Sequence, residues 1–164
     1  MQFTDELKSI YSQAGKADAF FDDKTPIPLW RAQGNDDFKK EVFLMRPHPG
    51  YDKKDGDGNV ISTRLPDVKI FERAGQLFVR GCRAISGSFR GVSLSDKQLQ
   101  FKGIWHHYII PEGTPIPEGL MITRDTRNAK TGITHYTIGP KDDMPLDLFL
   151  ATLKVVAAAA KRVV

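Results

Sequence analysis

Tyr108-Ile109-Ile110-Pro111-Glu112-Gly113-Thr114-Pro115-Ile116-Pro117 and, downstream, Thr134-His135-Tyr136-Thr137-Ile138-Gly139-Pro140 are the two stretches whose reading decides the fold of this chain. The first is an apolar strand stopped by Pro111, with a P-x-G-T turn behind it and an extended segment between Pro115 and Pro117. The second is a short strand of β-branched and aromatic residues that closes at Pro140. Strands punctuated in this way belong to a sheet-rich fold, and the chain's ten prolines and fourteen glycines point to an α+β or β-rich domain rather than a helical bundle.

Upstream, Pro26 and Pro28 keep Thr25 and Ile27 extended before a short strand over Leu29-Trp30-Arg31-Ala32. Ile70–Arg73 and Gln76–Arg80 flank Ala74-Gly75 and read as a hairpin. Glu41–Met45 is a further strand candidate, as is Ile104–Ile110, and Ser86–Gly91 reads as flexible. Asp52–Asn59 carries a D-x-D-x-N core at Asp55, Asp57 and Asn59. A calcium loop would need glycine where Val60 stands and glutamate where Pro66 stands, so a solvated hairpin tip is the expectation. Thr123–Thr131, rich in charge, reads as a polar loop or hairpin tip.

Helices are expected at the two ends. Phe3, Leu7, Ile10, Tyr11 and Ala14 recur at helical spacing, within an N-terminal helix and lead-in over residues 1–25. Leu146, Phe149, Leu150, Leu153 and Val156 do the same over residues 145–164, with Lys161 and Arg162 placed at the negative end of the helix dipole.

A length of 164 residues with 40% hydrophobic content is enough for one domain spanning 1–164. A net charge of +4 favours anionic partners such as a dinucleotide, nucleic acid or an acidic protein. Cys82 is the single cysteine, so no intramolecular disulfide forms and a reducing cytoplasm is the natural place of action. The first residues lack a basic segment followed by an apolar core, so no cleaved signal peptide is expected. The Leu146–Ala160 run is interrupted by Asp147 and Lys154 and is short for a membrane span. His106 and His107 point to opposite faces of one strand, and with His48 and His135 they show no metal-ligand spacing, so no metal site is expected. A P-loop, a dinucleotide-fold glycine signature and a nucleophile elbow are all missing.

The two opening stretches resemble the last third of ADP-ribosyltransferases. Within them, I-P-x-G-T-x-I-P and T-H-Y-T-I resemble the toxin family of the Pseudomonas type VI secretion effector that acts in the target-cell cytoplasm. Leu29-Trp30-Arg31-Ala32 resembles the family's arginine strand and Gly91-Val92-Ser93-Leu94-Ser95-Asp96 its serine motif, in the same order. The resemblance implies an α+β fold, an ADP-ribosyltransferase-like split β-sandwich around an NAD cleft with flanking N- and C-terminal helices. It also implies NAD chemistry: ADP-ribosyl transfer to an intracellular target, or NAD cleavage, causing growth arrest. The implied partners are a cognate immunity protein occluding the cleft, an unidentified intracellular target and a component of the secretion apparatus.

By the same resemblance Arg31 holds the NAD phosphates, Ser93 and Ser95 order the nicotinamide side of the pocket, and His135 or Tyr136 lines it. Tyr136 stands where related toxins carry their catalytic glutamate, and a neutral phenol does not supply that negative charge. Arg31, Ser93 and Tyr136 are therefore the expected catalytic set, with Arg31, Ser93, Ser95 and His135 touching NAD. The residue types suit these roles, since guanidinium presents paired donors to a diphosphate and a serine hydroxyl both donates and accepts. Strand alternation allows only one of His135 and Tyr136 to face the cleft. Two other readings stay open: a basic nucleic-acid-binding or nuclease toxin using Arg124, Arg127 and Lys130, and a non-catalytic binding toxin on the same fold.

Overall fold

The computed structural model describes residues 17, 19–34, 43, 45–81 and 91–163. The expected N-terminal helix, the stretch before Gly91 expected to be flexible, Cys82 and most of Glu41–Met45 lie outside the described residues. What is described is mostly β, with several antiparallel sheets and one C-terminal helix.

The strands in chain order are β1 (Ala19–Phe21), β2 (Leu29–Gln33), β3 (Tyr51–Lys54), β4 (Val60–Arg64), β5 (Ile70–Arg73) and β6 (Gln76–Val79). There follow β7 (Val92–Ser95), β8 (His106–Ile110), β9 (Leu120–Arg127), β10 (Thr134–Pro140), β11 (Met144–Pro145), the helix α1 (Leu146–Ala158) and β12 (Lys161–Arg162). Seven of these make the main sheet, in the order β1-β9-β10-β7-β2-β8-β12. β11-β6-β5 form a three-stranded sheet and β3-β4 a separate ribbon.

The main sheet is uneven at its centre. β10 pairs with β7 over four residues and β2 with β8 over five, whereas β2 and β7 meet in register only at Trp30 and Ser95. Among the described residues a single backbone pairing joins the β1-β9-β10-β7 half to the β2-β8-β12 half, so the sheet parts there.

The core lies beneath this junction. Leu29, Ile110, Ile122 and Ile138 from the main sheet and Phe149 and Leu153 from α1 are fully buried in one cluster, which takes in Val79 of the small sheet. Phe149, Leu153, Val156 and Ala157 are the buried residues of α1, at the i, i+4, i+7, i+8 spacing of a one-faced helix. Among the described residues no helix is long and apolar enough to cross a membrane.

Several expectations are corrected. α1 stops at Ala158, and Lys161 and Arg162 are not its last turn but strand β12, paired with Ile109 and Tyr108 of β8. The edge of β8 offers ladder partners that a further helical turn would forgo. Thr123–Arg127 is not loop but the outer part of an eight-residue strand, because β10 supplies a partner along nearly all of β9; only Asn128–Ile133 turns. β8 begins at His106, which leaves Ile104 and Trp105 in a loop.

The hairpin around Ala74-Gly75 forms, with positive φ at both residues (51° and 78°) as a tight two-residue connection requires. Asp55–Asn59 is a hairpin tip between β3 and β4. There the Asp55 carboxylate accepts the backbone N–H groups of Asp57 and Asn59 at 2.9 and 3.0 Å, and those hydrogen bonds, that from Asn59 first, hold it below its usual carboxylate range. Asp55 is thus occupied by its own turn.

Candidate functional site

Where β2 and β7 diverge, the backbone of β7 loses its ladder partner. The Ser93 carbonyl takes a side chain instead: Arg31 Nη1 donates to it at 2.7 Å, and Nη2 reaches the Arg46 carbonyl at 3.5 Å. Arg31 thereby closes the gap in the sheet, and two sequence motifs sixty-two residues apart become one site. Burial pulls the guanidinium below its usual range; Asp67 opposes this and Arg64 adds to it. A guanidinium has five N–H donors, so those beyond the two carbonyl contacts remain for a ligand.

The parting opens into a cleft of about 950 Å³, within the range of small-molecule sites. Arg31, Ser93, Ser95 and His135 all line it. Ser93 is exposed there, while Ser95 is 3% exposed and donates its hydroxyl to the Lys97 carbonyl at 2.8 Å, which caps the turn after β7.

Tyr136 is placed otherwise. It is 4% exposed, packed in the core cluster, and absent from the cleft lining. The cause is strand alternation: Tyr136 pairs with Leu94 on the core face, while His135 pairs with Ser95 and Thr137 with Ser93 on the other. Of the two candidates left open by the sequence, the structure sets His135 in the cleft and Tyr136 beneath it.

His135 has a buried companion that sequence reasoning missed. Its Nδ1 lies 2.6 Å from Asp125 Oδ2, and the side chains are 47% and 7% exposed respectively. Thr137 donates to Asp125 Oδ2 at 2.6 Å and Thr123 to Oδ1 at 3.0 Å. A register shift between Thr134 and Tyr136 puts one more residue in β9 than in β10 at this point, the signature of a β-bulge, which re-aims side chains. A signal was present in the sequence: Thr123-x-Asp125 and His135-x-Thr137 are polar pairs at period two, each able to line one face of a strand.

The rest of the lining is largely cationic and aromatic. Arg46, Arg64 and Lys102 join Arg31 as cations, His48 is a further lining residue, and no carboxylate residue lines the cleft among the described residues. His48 is held by its own turn: Asp67 Oδ2 accepts its backbone N–H at 2.7 Å, and its Nδ1 accepts the Gly50 N–H at 2.9 Å. Gly50 has φ of 77°, and a Cβ there would stand 2.6 Å from the Arg64 carbonyl oxygen. Trp105 and Phe101 pack against each other in a tilted pair with ring centroids 4.7 Å apart. The Trp105 indole donates to the Lys102 carbonyl at 3.0 Å and seats against Gly34, where a Cβ would be 3.1 Å from the ring. None of Arg46, Arg64, Phe101 and Trp105 was singled out by sequence, and His48 was named only as a rejected metal ligand, since exposed basic and aromatic residues are common and only the folded loops bring them together.

A cleft with several cations, no lining carboxylate and rigid aromatic faces suits a ligand that is both polyanionic and heteroaromatic. The family model for the Tse2 ADP-ribosyltransferase toxin matches residues 8–162. The chain is also 27% identical over 106 residues to Toxin Tse2 of Pseudomonas aeruginosa (strain PAO1), an alignment that takes in 65% of this chain and 60% of that protein's length. The match runs through the arginine strand, the serine motif and the strand of His135 alike, and the chain belongs to the Tse2 ADP-ribosyltransferase toxin family.

Proposed function

We propose that the protein is a cytotoxic effector that binds NAD in the parted sheet, cleaves its nicotinamide–ribose bond and passes ADP-ribose to an intracellular acceptor or to water, arresting growth. The observation that carries this reading is the meeting of Arg31 and Ser93 at the single-pair junction of the main sheet, in a cleft lined by cations and, among the described residues, by no carboxylates. We read that junction as the split of an ADP-ribosyltransferase-like β-sandwich. Arg31, with Arg64 nearby, suits the pyrophosphate, and the exposed Ser93 hydroxyl suits the ribose or carboxamide on the nicotinamide side. Trp105 and Phe101 offer faces for a heteroaromatic ring. Tyr136 supports this site from below by packing.

In this reading the protein reaches its target through a type VI-like secretion apparatus and acts in the target-cell cytoplasm. A cognate immunity protein silences it by covering the cleft.

The test is a thermal melt of inhibitor-free protein with NAD. A ligand at a hundredfold excess over Kd adds about 2.7 kcal/mol, which for a domain of this size raises Tm by several degrees. No shift at millimolar NAD in folded protein overturns the cleft assignment. Arg127 and Lys130, exposed at the β9–β10 turn and outside the cleft lining, provide the control. Arg127→Gln with Lys130→Gln is expected to leave both the NAD shift and growth arrest unchanged. Loss of toxicity in that double variant with the NAD shift intact would instead favour nucleic-acid binding, whose affinity rests on phosphate contacts.

A further inference from the structure

We propose that Asp125 is a positioning residue of the site: it holds the His135 ring with the proton on Nδ1 and leaves Nε2 as an acceptor toward the cleft. The inference rests on the reading of the cleft as an NAD site, and goes beyond it in naming the group that receives the proton.

The geometry assigns the roles. An ionised carboxylate only accepts hydrogen bonds, and Thr123 and Thr137 already donate to both of its oxygens. His135 Nδ1, at 2.6 Å from Oδ2, joins them by donating its N–H. With Nδ1 committed to a carboxylate that is 7% exposed, Nε2 is the ring nitrogen left for the cleft that His135 lines. Such pairs fix both tautomer and ring orientation, as carboxylates do for the histidines of hydrolytic triads. The bulge in β9 has a use in this light, since it brings a carboxylate from a neighbouring strand under the ring.

The chemistry balances. The O–H of water or of an acceptor hydroxyl gives its proton to Nε2 as its oxygen bonds to the ribose C1′. The bond from C1′ to the nicotinamide nitrogen breaks, and its electron pair leaves on nicotinamide, which becomes neutral. The imidazolium so formed is paired with Asp125, so its charge is compensated where it arises.

The experiment is nitrogen-15 NMR of the histidine rings in the neutral form, with His135 assigned by its loss in His135→Gln. The wild type is expected to show His135 protonated on Nδ1. Asp125→Asn, whose amide can donate where the carboxylate accepted, is expected to move the proton to Nε2 and to lower NAD turnover by about a hundredfold or more with NAD affinity unchanged. A wild-type ring protonated chiefly on Nε2 overturns the proposal, and that measurement needs no variant to fold. Asp125→Asn with the wild-type tautomer and wild-type turnover overturns it too. A wild type that neither binds nor cleaves NAD would overturn the NAD reading alone, because the tautomer of His135 still decides the role of Asp125.

Discussion

Replacing Arg31 by alanine is expected to weaken NAD binding roughly a hundredfold and to abolish growth arrest. A charged donor removed from a diphosphate costs about 3 kcal/mol, and about 1.4 kcal/mol is a factor of ten. The same change removes the 2.7 Å contact to the Ser93 carbonyl, so the parted junction loses its only side-chain link in the described residues between Arg31 and β7. A further loss of about 0.5 to 1.5 kcal/mol in folding stability is expected from the lost hydrogen bond, since water can reach the carbonyl of the exposed Ser93. Arg31→Lys separates the two effects. Lysine keeps the charge but lacks the paired planar donors, so it is expected to fold better than the alanine variant and still bind NAD poorly. Isothermal titration with NAD, beside urea unfolding of both variants, checks this. Alanine and lysine variants that bound NAD as the wild type does would remove Arg31 from the site.

Gly91→Ala is expected to be the most damaging single change to the fold among the described glycines of the cleft motifs. A Cβ at that position would lie 2.0 Å from the Ile138 carbonyl oxygen, 2.6 Å from its carbon and 2.7 Å from Gly139 Cα. All three are backbone atoms of a central strand, so none can swing aside. The φ of 151° adds strain for any residue with a side chain. Overpacking and backbone strain together amount to about 3 kcal/mol or more, a large part of a typical domain's stability. Gly56→Ala makes the comparison, since nothing lies within 4 Å of a Cβ there. It is expected to stay within about 0.5 kcal/mol of the wild type. Urea midpoints of the two variants decide, and a Gly91→Ala protein as stable as Gly56→Ala would mean that β7 does not approach β10 this closely.

Gly91 also shows why part of the site could be read from sequence. It opens the serine motif, and its use is to let β7 lie against β10, so a glycine followed by alternating Val92, Ser93, Leu94 and Ser95 encodes both a close approach and a two-faced strand. The residues that the alternation puts on opposite faces behave accordingly: Val92 and Leu94 are buried in the core, and Ser93 is exposed in the cleft.

The strand at His135 and Tyr136 obeys the same period, but alternation gives two faces without saying which is the inner one. That choice was made by the register with Leu94 and Ser95. The aromatic residue went to the core, where its burial is favourable, and the imidazole to the cleft.

Misreadings cluster where a partner strand distant in sequence overrides local preference. Arg124, Asp125 and Arg127 give the segment a loop-like composition, yet β10 pairs along it and Asp125 is buried among hydroxyls. Lys161 and Arg162 suit a helix C-terminus, yet the open edge of β8 takes them as a strand. In both cases the backbone groups gain ladder partners that the local signal could not foresee.

What the sequence alone determined is therefore local and periodic. It specifies the proline-bounded strands, the Ala74-Gly75 hairpin, the one-faced run of α1 and the two motifs that hold Arg31 and Ser93, because each is written within a few residues as alternation, helical spacing or a turn signal. The tertiary structure alone decided which motifs meet and what lies between them. The parting of β2 from β7, the cations and aromatic rings around the cleft, and the Asp125–His135 contact all depend on strand order and register across distances that no local pattern records, since hydrogen bonds between strands are indifferent to how far apart their residues stand in the chain.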